Sequence, residues 1–234
     1  MSKVIYNIPN GIHGLFQLPT EVATRLLPEN AKPIEAMHGR SVVGITLFEF
    51  SGSNITLAPY VELVISLYVV PKLGIMEDHP HAAVYPLSVA SSNQQARNHA
   101  IDLWHLPHYM EDIGLKFTES EDGKHMTGLI SCTNGEPIVE LAVSKGSEWG
   151  PMFQAYQSFQ HDETGEYIGI LDMQGTMTEH EEGTGNLVIN HEHRFFKDLD
   201  LTELDPTPMR EMWLKNGQET YHRLVTLQGE LVYG

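Results

Sequence analysis

The chain has 234 residues, 41 % of them hydrophobic, enough for one sizeable core without covalent staples. Fourteen basic residues against 31 acidic ones give a formal charge of −17, which repels nucleic-acid phosphates and anionic lipid surfaces and so excludes both as partners. One cysteine, Cys132, leaves no internal disulfide and no cysteine-cluster metal site.

In chain order, the N-terminal stretch MSKVIYNIPNGIHG lacks the charged-then-apolar pattern of a signal peptide, and the longest apolar run, 61–71, is far too short to span a bilayer. A cytoplasmic protein is expected. A helix is predicted over 19–28, with Thr20 as its N-cap and Pro28 as its stop. Period-two patterns then predict strands over 41–50 and 58–70. A second helix is predicted over 94–106, strands over 125–133, 137–144, 166–178 and 185–196, and a third helix over 207–216. Turn signals SGSN, NGEP, DETGE and EEGTG separate the strands. No linker, repeat or low-complexity segment divides the chain, so one domain, 1–234, is expected, of the α+β class, mainly antiparallel β with a few short helices.

Two strands carry unusual faces. In 58–70 the odd positions Val61, Leu63, Ile65, Leu67 and Val69 are uniformly apolar, whereas the even ones are Tyr60, Glu62, Val64, Ser66 and Tyr68. If both faces are covered, Glu62 lies in an enclosed space between tyrosines, where a carboxylate is poised for acid/base work; the bland alternative is a strand with one solvated face. In 185–196, His191 and His193 share a face with Leu187, Ile189 and Phe195, which suggests either a polar cavity or two packed core histidines. Arg40, Arg97 and Arg194, set among apolar or aromatic neighbours, are the candidates for any anion site.

The segments LPTEVATRLLPENAKPIE, PYVEL, HPHAAVYPLSVASSNQQAR and NLVINHEHRFFKDLDL, taken in this order and spacing over nearly the whole chain, resemble the acetoacetate decarboxylase-like superfamily. The resemblance implies a barrel-like or double-sheet antiparallel β structure enclosing a largely apolar cavity, assembled as a homo-oligomer. It also implies that Tyr60 and Glu62 match the family's Tyr-x-Glu, that Arg97 after Ala96 matches its active-site arginine, and that His191 and Asp198 match a late His and Asp-Leu. One departure matters most. The family's Schiff-base lysine follows a proline, but in WHLPHYM that place is held by His108, followed by Tyr109, and the nearest lysine is Lys116.

The expected function is therefore a lyase-type small-molecule enzyme, acting on an oxo-acid, β-keto or polyketide-like substrate by decarboxylation, dehydration, isomerisation or cyclisation without an imine. Glu62 and His108 would transfer protons, Tyr60 or Tyr109 would hydrogen-bond an enolate, and Arg97, His191 and His193 would bind substrate. No cofactor is required on this reading. Because the chain holds 13 histidines, in clusters such as HPH at 79–81, HLPH at 105–108 and HEH at 191–193, the alternative is a zinc or other divalent-metal enzyme ligated by His105, His108, His191 and His193. A third reading is a carrier or sensor that binds an apolar or oxo ligand without turnover. Pro107 should end the preceding helix near its own position, turning His108 into the cavity and leaving His105 structural or exposed.

Overall fold

A computed structural model describes residues 3–72, 81–110, 112–181 and 183–234, apart from the side chains of residues 81, 109 and 110. The chain runs through strands β1 (Val4–Pro19), helix α1 (Thr20–Arg25), β2 (Glu35–Met37), β3 (Arg40–Phe50), β4 (Gly52–Ser53), β5 (Tyr60–Tyr68) and β6 (His81–Ser91). It continues through helix α2 (Gln94–Trp104), β7 (His108–Met110), β8 (Ile113–Glu119), β9 (His125–Cys132), β10 (Pro137–Ser144), β11 (Gly150–Asp162) and β12 (Gly165–His180). After β13 (Asn186–Ile189) and a 3-10 turn at Arg194–Phe196 come β14 (Arg210–Thr226) and β15 (Leu231–Tyr233).

Hydrogen bonding in the order β14-β12-β11-β6-β5-β3-β1, with β1 returning to β14, closes seven strands into a barrel. All of these neighbours are antiparallel except β11 and β6. A separate four-stranded sheet, β13-β10-β9-β8, lies against the barrel's outer face. The mainly β architecture around a cavity is the one expected from the sequence.

Two apolar layers result, and strand parity sorts residues between them. On β5, Leu63, Ile65, Leu67 and the following Val69 point outward into the layer between barrel and second sheet, which also holds Val43, Ile45, Ile130, Leu141 and Trp213. Each of those β5 side chains is at most 1 % exposed, so each contributes about 1.5–3 kcal/mol of burial. The even residues of β5 point into the barrel. Both faces are covered, which settles the choice left open by the pattern. Glu211 on β14 ties the layers together: wholly buried, its carboxylate accepts from the backbone N–H groups of Ser144, Thr184 and Gly185.

Three expectations change. The predicted helix over 207–216 is instead the start of β14, because Trp213 packs into the outer layer while Met212 and Leu214 line the barrel; with both faces covered, a strand loses its alternation. The predicted strand over 185–196 stops at Ile189, where Asn190 N–H bonds Ile138 O and His193 N–H bonds Asn190 O, turning the chain. Thr20 is the first residue inside α1 rather than its cap, and its hydroxyl bonds Ser41. Among the described residues no helix is long and apolar enough to cross a membrane.

Candidate active site

Helix α2 closes one end of the barrel. Asn93 caps it, accepting from the N–H groups of Gln95 and Ala96 at 2.8 and 3.0 Å. Ala96, Ala100 and Trp104, four residues apart, form the face that looks into the barrel. The helix ends at His105, which adopts a left-handed conformation with φ 53° before Leu106 and Pro107. Its ring stacks on Tyr167 at 4.1 Å, and its Nδ1 bonds Asp162. Burial pushes the Asp162 carboxyl up, but hydrogen bonds from Thr164 and His105 outweigh it and hold the carboxyl down at about 2. His105 is thus a structural clasp between α2 and the β11–β12 hairpin.

The next step of chain carries His108 inward. Strand β7 lies parallel to β6, with His108 beside Val89 and Pro107 O accepting from Val89 N–H at 3.1 Å. The His108 side chain is 1 % exposed, and its Nε2 meets Glu62 Oε1 at 3.0 Å. Its Nδ1 is buried and has no hydrogen-bond partner among the described residues.

Both residues line a cavity of about 150 Å³ inside the barrel. That is the size of a hole that holds a benzene ring, so its ligand is small. Tyr60 lines it too and stacks on Phe50 at 4.6 Å; burial, then the nearby Glu62 charge, push its hydroxyl far up, so it stays a neutral donor. Tyr6 and Tyr221 join Trp104, whose Nε1–H donates to Tyr6 Oη at 3.3 Å.

Sequence reasoning missed two cavity groups. Glu219, on β14, faces the same space; burial first, then the charges of Glu62 and Asp172, push its carboxyl up to about 8, so it is protonated at neutral pH. By accessible surface it is half-buried in the cavity wall. His13, on β1, bonds Thr46 Oγ1 through Nδ1 at 2.5 Å and Tyr68 Oη through Nε2 at 3.3 Å. Burial, then the Arg210 charge, lower it to about 4, so the ring is neutral.

Other sequence candidates lie elsewhere. Arg97 is on α2 but outside the cavity, with Nη1 donating to Asn98 Oδ1 at 3.4 Å. Arg40 donates to Gln17 O, and Arg194 is exposed in the 3-10 turn; neither lines the cavity. His191 is exposed beyond β13, and Asp198 is exposed as well. His193 caps the 3-10 turn, its Nδ1 accepting from Phe195 N–H, with Nε2 3.5 Å from Cys132 Sγ. These two histidines therefore do not reach the substrate space, because the strand that would have aimed them inward ends before them. Lys116 is exposed on β8 of the second sheet. The side chains of Tyr109 and His81, and residues 79 and 80 of the HPH cluster, lie outside what the structure describes.

The four histidines named as metal ligands are not brought together. His105 is engaged by Asp162, His108 by Glu62, and His191 and His193 belong to the outer sheet's flank; among the described residues no three His, Cys, Asp or Glu side chains converge as ligands.

No family model and no curated protein matches the sequence. Solved structures do match. An acetoacetate decarboxylase aligns with 100 % of this chain and 90 % of its own, at TM-score 0.61 and 13 % identity. The enduracididine biosynthesis enzyme MppR complexed with pyruvate aligns over 97 % and 91 %, at TM-score 0.60 and 12 % identity. An acetoacetate decarboxylase-like enzyme from Sphingomonas wittichii RW1 aligns over 94 % and 91 %, at TM-score 0.59 and 10 % identity. The chain has the acetoacetate decarboxylase-like fold, with a histidine pointing into the cavity from the segment that follows α2.

Proposed function

We propose that this protein catalyses proton transfer next to a carbonyl group of a small, uncharged β-keto or polyketide-like compound, giving isomerisation or dehydration without an imine. The observation that carries this reading is the Glu62–His108 pair at 3.0 Å in an aromatic-lined cavity inside the barrel. Glu62 takes a proton from the carbon beside the carbonyl, while His108, hydrogen-bonded to it through Nε2, holds the carboxyl group in place. The electron pair moves to the carbonyl oxygen, which receives a hydrogen bond from protonated Glu219 or from Tyr60. Protonated Glu62 then returns its proton, either to a more distant carbon of the enolate or to a departing hydroxyl, which leaves as water.

Decarboxylation and oxo-acid substrates drop out of the proposal. Lysine and arginine are absent from the described cavity lining, and its acidic groups are Glu62 and Glu219. A carboxylate such as the pyruvate bound to MppR would meet carboxyl groups here and no cation.

The test is exchange of the α-protons of 2-octanone in D2O, followed by proton NMR. Wild type should accelerate exchange over buffer, and Glu62→Gln or His108→Asn should each lower the rate by roughly 10²–10⁴-fold. Binding of the ketone with exchange at the buffer rate would replace the enzyme with a carrier. Unchanged exchange in both variants would sink the assignment of the pair.

A further inference from the structure

The cavity has a second polar station, away from the Glu62–His108 pair, that the proposed reaction leaves unused. His13 of β1 lies between Thr46 of β3 and Tyr68 of β5, bonded to both, and all three line the same cavity. Strand register fixes where they stand. Phe48 is opposite Glu62 and Thr46 is opposite Val64, so Thr46 lies two residues along β5 from the catalytic carboxylate, about 7 Å. His13 is beside Thr46, and Tyr68, farther along β5, reaches back to it. Between the stations the lining is Val64, Ser66 and, across the barrel, the thioethers of Met152, Met173, Met177 and Met212, an apolar and deformable wall.

The relay's proton count says what it can bind. The Thr46 hydroxyl, the neutral His13 ring and the Tyr68 hydroxyl carry one polar hydrogen each, three in all. Two of these are consumed by the two bonds inside the relay. In one tautomer of His13 the spare hydrogen is on Tyr68, in the other on Thr46, so in either case one O–H is left to donate. Burial, then the Arg210 charge, hold His13 neutral, so the station presents no positive charge. Arg210 itself does not line the cavity, and its guanidinium is paired with Glu179 and, at 3.7 Å, with Glu181. Beside the relay, Tyr156 donates to Gln154 Oε1 at 2.7 Å, which leaves the Gln154 amide hydrogens as further donors facing the same lumen.

We propose that His13, Thr46 and Tyr68 form a far-end recognition station that donates a hydrogen bond to an uncharged carbonyl or hydroxyl oxygen, so that the ligand is a small neutral chain with oxygen functions at both ends. The identity of the near end rests on the proton-transfer reading above; the far end does not. A carboxylate at the far end finds donors but no counter-charge. A ligand ending in a methyl group leaves the spare hydroxyl unpaired in an apolar wall. The separation of the stations sets the length, with the two oxygen-bearing carbons roughly five to six bonds apart.

Isothermal calorimetry with three eight-carbon probes tests this: octane-2,7-dione, 2-octanone and the anion 7-oxooctanoate. The dione should bind roughly 3- to 10-fold tighter than the monoketone, the value of one hydrogen bond, and 7-oxooctanoate should bind weaker than either. In the double variant Thr46→Val with Tyr68→Phe the preference for the dione should vanish. The wild-type ranking stands as a test by itself if that variant does not fold. Equal affinity for dione and monoketone, tightest binding of 7-oxooctanoate, or a preference that survives in the double variant would each overturn the proposal. Calorimetry needs no turnover, so the two readings fail separately: a dione preference without proton exchange keeps the station and removes the reaction, and exchange without the preference does the reverse.

Discussion

Replacing Glu219 by glutamine should make the protein more stable, and by more in alkali than in weak acid. The carboxyl is pushed from 4.5 up to about 8 by burial and by the Glu62 and Asp172 charges. A carboxyl whose folded-state pKa is raised holds its proton more tightly in the fold. Its stabilising share is complete below pH 4.5, and is lost as pH rises toward and through 8. The span of about 3.5 units amounts to about 5 kcal/mol at 1.36 kcal/mol per unit. About 2 kcal/mol of this is already lost by pH 6, which leaves about 3 kcal/mol to be lost between pH 6 and pH 9. Glutamine keeps the shape and a donor but has no proton to lose, so the wild-type and variant curves should diverge by that amount, the variant being the more stable at pH 9. With a denaturant slope of about 3 kcal/mol per molar, the urea midpoints should separate by about 1 M more at pH 9 than at pH 6. Titrating groups remote from Glu219 cancel in the difference. Urea titrations at half-unit steps between pH 6 and 9 measure it directly, and parallel curves would refute the argument that the cavity keeps Glu219 protonated.

Incubation with acetoacetate and cyanoborohydride should leave no covalent adduct by mass spectrometry, because reductive trapping needs an imine and no lysine is among the described residues that line the cavity; an adduct mapped to the exposed Lys116 would reverse that conclusion. Gly44→Ala should cost about 1–3 kcal/mol by thermal unfolding and abolish the dione preference, since its Cβ would lie 2.8 Å from His13 Cε1 and 3.1 Å from Tyr68 Cε2. An unchanged melting temperature would mean that these rings do not rest on Gly44.

How much of the site could be read from the residues depends on how each strand meets its two faces. Strand β5 was legible because its faces differ in kind: aliphatic side chains outward, and tyrosines with one carboxylate inward. His108 was legible because Pro107 ends the helix at a fixed place. Glu219 was hidden for two reasons. The start of β14 has apolar side chains on both faces and mimics a helix, and the strand then changes parity. Thr176 faces Lys215 but Gln174 faces Gln218, so an extra residue is bulged out near Asn216, which takes a positive φ. Met212 and Leu214 line the cavity before the bulge, and Glu219 and Tyr221 after it. His13 was hidden because β1 is flanked by β3 and β14 and covered on both sides, which erases period two. At His191 and His193 the alternation of residue types continued past the point where the backbone turns.

The pairing of β1 with β14 bears on how this molecule is made. Val4 lies beside Tyr221, and Trp213 Nε1–H donates to Asn10 Oδ1 across 203 positions of sequence. Strand β1 must therefore wait for all the other strands of the barrel before its second edge is covered, a slow closure with bare strand edges exposed meanwhile. Glu62 and His108 are translated early, but Glu219 and Tyr221 arrive only with the late strand. A nascent chain therefore cannot bring its two cavity carboxyls together until the barrel has shut, so any chaperone that shields those edges acts before there is a ligand site to protect.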